Sequence, residues 1–197
     1  MFFGEIFGFI AGAFGVMQGW PQARRVKKLG HSIGVSLVTW VLIYSSNLGW
    51  FAYGAIIKSP SIITTNVFAS LLSVYVILAL RPGNKKVRAI TIGAWFIAPT
   101  LAFFIPVATL KILLIPFAFS RAPQLIHSIK MARTSHHSAV SFSSLGISLT
   151  ALICWEIYSI FLGNFFVLMT TSIPLSFTLA IVAIEFYSKR KRERISK

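Results

Sequence analysis

Seven long apolar stretches dominate the chain, at residues 2–20, 33–57, 61–80, 86–104, 106–120, 139–163 and 165–187. A hydrocarbon core of about 30 Å takes about 20 apolar residues in a helix, which is the scale of these runs. Backbone groups in lipid must be satisfied internally, so only helices and closed barrels cross a membrane. The runs are too long and too continuous for barrel strands, and the pattern predicts helices. Residues 89–120 are nearly unbroken, with Lys111 the only charge. At about 1.5 Å per residue such a run would far exceed the bilayer, so it must turn back once. Pro106 biases its preceding residue toward extended backbone and marks the corner. The expected fold class is an all-α membrane protein with seven transmembrane helices.

The charges sharpen this picture. Of 19 Lys and Arg, 17 fall in the segments after the first, third and fifth runs or in the tail. They are Arg24, Arg25, Lys27 and Lys28; Arg81, Lys85, Lys86 and Arg88; Arg121, Lys130 and Arg133; and six between Lys189 and Lys197. Lys58 stands alone on the opposite side. The positive-inside rule then predicts an outside N-terminus and a cytosolic tail. The net charge of +15 therefore points to anionic lipid headgroups as partners, and not to nucleic acid. Residues 1–20 lack a basic leader and are expected to be the first span, not a signal peptide.

The chain also repeats. Pro21-Gln22 and Pro123-Gln124 close the first and fifth runs, whereas 8 prolines and 3 glutamines give only about 0.12 such pairs by chance. Val35-Ser36 matches Val140-Ser141, and Trp50 and Tyr53 match Trp155 and Tyr158, each 105 residues apart. Thr65-Asn66 stands at the same offset from Thr170-Thr171. Each repeat holds three spans, and a single extra span restores the orientation of the second copy. The expected units are 1–80, a triple-helix repeat; 81–105, a linker helix; 106–187, the second repeat; and 188–197, a basic cytosolic tail. Parallel repeats of this kind are related by an axis along the membrane normal.

These residues resemble the PQ-loop superfamily, and within it the SWEET (MtN3/saliva) sugar facilitators. The paired Pro-Gln, the 3+1+3 order and the outside N-terminus carry the superfamily resemblance over residues 2–187. Ser46, Trp50 and Tyr53-Gly54 are similar to the second-span pattern, and Thr65-Asn66 to the third, where an asparagine contacts substrate. The chain departs from the pattern at Thr171, where a second asparagine is usual, and at Ser159, where glycine is usual. The prolines that accompany Pro-Gln at the cytosolic gate are absent. The resemblance implies a passive sugar carrier working by alternating access, with no cofactor and no enzymatic activity.

Repeat interfaces near the midplane are where such carriers bind. The candidate substrate residues are Ser46, Trp50, Asn66, Trp155, Thr171 and Ser172: two flat apolar faces, hydroxyls and an amide. None is charged, which suits a neutral polyhydroxylated solute. Pro21 and Pro123 interrupt helical hydrogen bonding and are candidate hinges. Gln22 and Gln124 are expected to bond the freed carbonyls, and Tyr53 and Tyr158 complete the hinge and gate set. Lys111, Glu156 and Glu5 lie inside spans, where charge is expensive and usually paired. They predict an outer Lys111–Glu156 ion pair with Glu5 nearby, or a proton site at Glu156.

Two alternatives follow. A proton-coupled carrier of amino acids or other metabolites would use Glu156. A non-transporting binding protein like the KDEL receptor would want a buried basic cluster, and Lys111 is the only base expected in mid-span. No metal site is expected, since His136-His137 has no acidic or cysteine neighbours. The expected location is a plasma or bacterial inner membrane, as a monomer or a homo-oligomer.

Overall fold

The computed structural model describes residues 2–102, 104–133 and 138–195; the His136-His137 pair lies outside them. The elements are α1 (Phe2–Met17), α2 (Gly19–Leu29), α3 (Leu37–Ile56), α4 (Pro60–Leu80), α5 (Lys85–Ala102) and α6 (Val107–Leu114). A 3-10 segment (Ile115–Phe119), α7 (Ala122–Met131), α8 (Phe142–Leu162) and α9 (Phe165–Ile195) complete the chain. No strand occurs among the described residues.

Local chemistry sets the boundaries. Ser36, Ser59 and Ser141 cap α3, α4 and α8, each accepting from the backbone N–H three residues on, as N-caps do. Gly163 ends α8 in the left-handed region, at φ +61°, where glycine is unstrained. Pro106 stands at the start of α6, so the expected corner forms there.

Three expectations about the spans are corrected. The basic residues 24–28 are not in a loop, because the first run continues past a break at Gln18 into α2. The fifth span is not one helix from 106 to 120; α6 gives way to a 3-10 segment and then to α7. Pro116 and Pro123 each deny an N–H to the carbonyl four residues earlier, which tightens and interrupts the helix. The basic tail is not separate either, because α9 runs on to Ile195. Lys, Arg and Glu are good helix formers, and Lys189 and Glu193 pair across one turn at 3.9 Å.

Among the described residues, four segments are long and apolar enough to cross a membrane: Pro60–Leu80, Val107–Met131, Phe142–Leu162 and Phe165–Lys191. The other expected spans fall short for local reasons. α1 breaks after 16 residues, α5 opens on Lys85, Lys86 and Arg88, and α3 carries Ser45, Ser46 and Asn47 in its middle. Polarity is distributed inside-out. Phe3, Phe68, Ile90, Phe96, Ile112, Ile160 and Phe165 are exposed, whereas Thr39, Ser61, Ser70, Ser73, Ser128 and Ser148 are buried. Some of these hydroxyls bond within their own helix, as Ser73 does on the Ala69 carbonyl at 2.8 Å, whereas Ser128 reaches Glu185 on another helix and Thr39 has no partner for its hydroxyl among the described residues. This arrangement suits a membrane-embedded protein, whose solvent is apolar.

α1 packs between α4 and α8. Its glycines permit the approach: a Cβ on Gly8 would lie 2.6 Å from the Ser61 hydroxyl and 2.9 Å from the Tyr158 ring. Small residues spaced four apart are the usual way helices come close in lipid. Two apolar clusters form among the described residues. One gathers Trp40, Tyr44, Ile77, Leu80, Val140 and Ile181 near Gln22, and the other gathers Tyr53, Ile62, Leu110, Leu114, Tyr158 and Val167.

Candidate functional site

The two Pro-Gln pairs meet at one end of the bundle. Pro21 has no N–H for the Met17 carbonyl, and α1 ends at Met17; Pro123 stands in the same relation to Phe119, the last residue of the 3-10 segment. The glutamines do not bond the carbonyls freed by their own prolines, as expected, but reach across to the other half. Gln22 Nε2 donates to the Ala139 carbonyl at 3.1 Å, and its Oε1 accepts from the Ser141 N–H at 3.0 Å. Gln124 Nε2 donates to the Gly34 carbonyl at 2.9 Å, and its Oε1 accepts from the Ser36 N–H at 2.8 Å. Helical side chains lean over the residues three and four before them, and Met17 lies five before Gln22. The extended segments before α3 and α8 offer the unpaired backbone groups instead. Those segments also touch each other, the Ala139 N–H donating to the Ile33 carbonyl at 2.8 Å. The second staple is braced further: Gln124 also donates to Ser128, and Ser128 donates to the buried Glu185 carboxylate at 2.7 Å.

Between this staple and the second apolar cluster lies a cavity of about 150 Å³. Equivalent residues of the two halves line it: Trp50 and Trp155, Thr65 and Thr170, Asn66 and Thr171. Each tryptophan meets its tyrosine edge-on, Trp50 with Tyr53 at 5.4 Å and Trp155 with Tyr158 at 5.0 Å between ring centroids. Ser46 lines the cavity too. Asn66 donates Nδ2 to the Ile62 carbonyl at 2.8 Å, which leaves its carbonyl oxygen as an acceptor. Pro174, also on the wall, lacks the N–H that would bond the Thr170 carbonyl, so a second acceptor, this one on the backbone, is left over there.

Ser172 is not on the cavity wall. Its hydroxyl and that of Thr171 each approach Glu156 Oε1 at 2.9 Å. Each hydroxyl has one proton, so bonding the carboxylate means forgoing a helix carbonyl. The Lys111–Glu156 ion pair does not form. Lys111 Nζ sits over the rings of Phe166 and Tyr53, at 5.7 and 6.0 Å from their centroids. Phe166 and Thr171 are five residues apart on α9, about 7.5 Å along the axis, and each charge takes the partner at its own depth. Glu5 stands apart from both. It accepts from the Ser59 hydroxyl at 3.2 Å and the Ser61 N–H at 3.3 Å, and Ser59 in turn meets the Tyr158 hydroxyl at 3.3 Å. A polar network thus ties α1, α4 and α8 at the end opposite the glutamines.

The cavity is not uncharged. Arg121, expected in a cytosolic loop, lines it and is only 8% exposed. Its Nη2 donates to Gln18 Oε1 and to Ser148 Oγ, both at 2.7 Å. The break at Gln18 in the first helix, the junction before α7, and α8 therefore converge on one guanidinium. The expectation that Lys111 is the only base in mid-span is corrected with it. One sequence signal marked Arg121: it precedes Pro123 by two residues, and a helix resuming at Pro123 places it inside a continuous run from Val107 to Met131.

No protein-family model and no curated protein matches the chain.

Proposed function

We propose that the protein is a multi-pass membrane transporter that moves a small polar solute through the central cavity by alternating access. The observation that carries this is the cavity itself, walled by paired positions of two sequence repeats, with a polar tie at each end of the bundle. In this reading seven passes cross the bilayer: α1–α2, α3, α4, α5, α6–α7, α8 and α9. They form two parallel triple-helix units joined by α5, with the N-terminus outside and the glutamine staple inside. With Arg121 set aside, the 16 other bases that the charge pattern assigns to the staple side support that orientation. The Pro-Gln breaks act as hinges, and the crossed glutamines lock the inner gate while Ser59, Tyr158 and Glu5 lock the outer one.

Size limits the load. A cavity of about 150 Å³ elsewhere accommodates one benzene ring, so a body of one ring fits and a disaccharide does not. The resemblance to the SWEET facilitators supports a single sugar ring stacked on Trp50 or Trp155, moving down its own gradient. Glu156 favours a second reading, proton coupling, because Thr171 bonds this carboxylate and also lines the cavity. A receptor-like binding role gains from Arg121, but the two end ties favour a carrier.

Uptake into proteoliposomes tests the proposal, using labelled monosaccharides, amino acids and small organic acids with and without a pH gradient. The expected result is saturable downhill uptake, independent of the gradient and weakened by Asn66→Ala. A solute that is transported equally well by the Asn66→Ala and Trp155→Ala variants would remove this cavity as the path.

A further inference from the structure

We infer that the cavity's ligand is an anion, a one-ring solute whose carboxylate is received by Arg121; this rests on the proposed solute site and names its substrate class. The first ground is burial. Arg121 is 8% exposed, and a buried guanidinium without a counter-ion is strongly disfavoured unless something supplies the opposite charge. The second ground is that the chain does not supply it. There is no aspartate, and the acidic residues number four. Glu5 is held by Ser59 and Ser61, Glu156 by Thr171 and Ser172, and Glu185 by Ser128. Glu193 stands on the exposed end of α9 beside Lys189. Among the described residues no carboxylate lies within 4.0 Å of Arg121.

The third ground is geometry. Of the five N–H groups of a guanidinium, only those on Nη2 have partners among the described residues, Gln18 and Ser148. These two neutral acceptors hold the fork in place and leave its charge intact. The N–H groups on Nε and Nη1 stay without partners among the described residues, and each can give a carboxylate one charge-assisted hydrogen bond. The remainder of the wall then reads as the seat for the rest of the ligand. Trp50 and Trp155 offer faces to its ring, and Asn66 and the Thr170 carbonyl accept from its donors. The expectation of a neutral load counted only the residues of the aligned repeat motifs; Arg121 belongs to neither, since its counterpart 102 residues earlier is Gly19.

The test compares each acid with its neutral counterpart of the same shape: benzoate with benzamide, and glucuronate with glucose. Binding to the purified full chain is read by quenching of tryptophan fluorescence and by thermal shift. The expected result is that at least one acid binds about tenfold or more tighter than its neutral partner, the scale of one charge-assisted hydrogen bond. Arg121→Gln should abolish that preference, while Arg121→Lys keeps its sign with weaker binding. The wild-type comparison stands even if Arg121→Gln fails to fold. A merely structural arginine would lower stability and weaken both members of a pair equally, which overturns the inference. A neutral member that binds as tightly as its acid, with loss on Trp155→Ala, also overturns it and leaves the solute site standing. If neither member of either pair binds, the inference and the solute site fall together.

Discussion

Replacing Gln22 by methionine keeps the length of the side chain and removes both of its bonds to the other half. Gln22 is 3% exposed, and its partners, the Ala139 carbonyl and the Ser141 N–H, are buried beside it. Each neutral hydrogen bond contributes about 1 kcal/mol net, and a stranded buried group adds its own desolvation penalty. The segment entering α8 should therefore be destabilised by about 2–3 kcal/mol. At about 1.4 kcal/mol per factor of ten, its local opening should become roughly 30- to 150-fold more frequent. Hydrogen exchange read by mass spectrometry reports this directly. Gln22→Met should accelerate exchange in residues 138–145, in the second repeat. Gln124→Met should accelerate it in residues 33–40, in the first. The crossed pattern is the signature. Acceleration confined to residues 14–22 in Gln22→Met would mean that the glutamine serves its own helix, and the staple would be refuted.

Three further expectations concern other parts of the molecule. Lys58 adopts φ +56° at the turn equivalent to Gly163, at φ +61°; a side chain there costs about 1 kcal/mol, so Lys58→Gly should raise the thermal midpoint in detergent and Gly163→Lys should lower it. Shifts of the same sign would contradict the strain argument. Gly8→Leu should destabilise by about 1–3 kcal/mol through overpacking against Ser61 and Tyr158, whereas Gly146→Ala, which meets open space, should not; equal thermal shifts would remove the α1 packing account. Glu156→Gln should leave downhill uptake unchanged at fixed pH. A gradient-driven component in the wild type that disappears in this variant would move the function to proton coupling.

Much of the fold was legible because its signals are local and periodic. The apolar runs located α3, α4, α8 and the start of α9 within a few residues, and the matched Val35-Ser36 and Val140-Ser141 stand at two equivalent helix starts. The 105-residue offset pairs Trp50 with Trp155, and both line one cavity. What was missed depended on partners far away in sequence. Nothing near Gln22 says that its amide reaches Ala139, since that geometry exists only once two loops cross. Nothing local separates a proline that ends a helix from one that interrupts it, and Arg121 stands where the helix resumes within a turn, at the start of α7. Lys111 and Glu156 were matched by depth alone, and aromatic faces and hydroxyls at each charge's own level decided otherwise.

The alternation of the two ends is tested most directly by paired spin-label distances in a Cys154→Ala background reconstituted in lipid. One pair, at Lys28 and Arg133, spans the glutamine end, and the other, at Lys58 and Gly163, spans the opposite end; all four positions are exposed. The account predicts that Gln22→Met lengthens the first distance and shortens the second, since loosening one gate favours closure of the other. Two distances that stay single and unmoved, in the variant and across every solute tried, would contradict it.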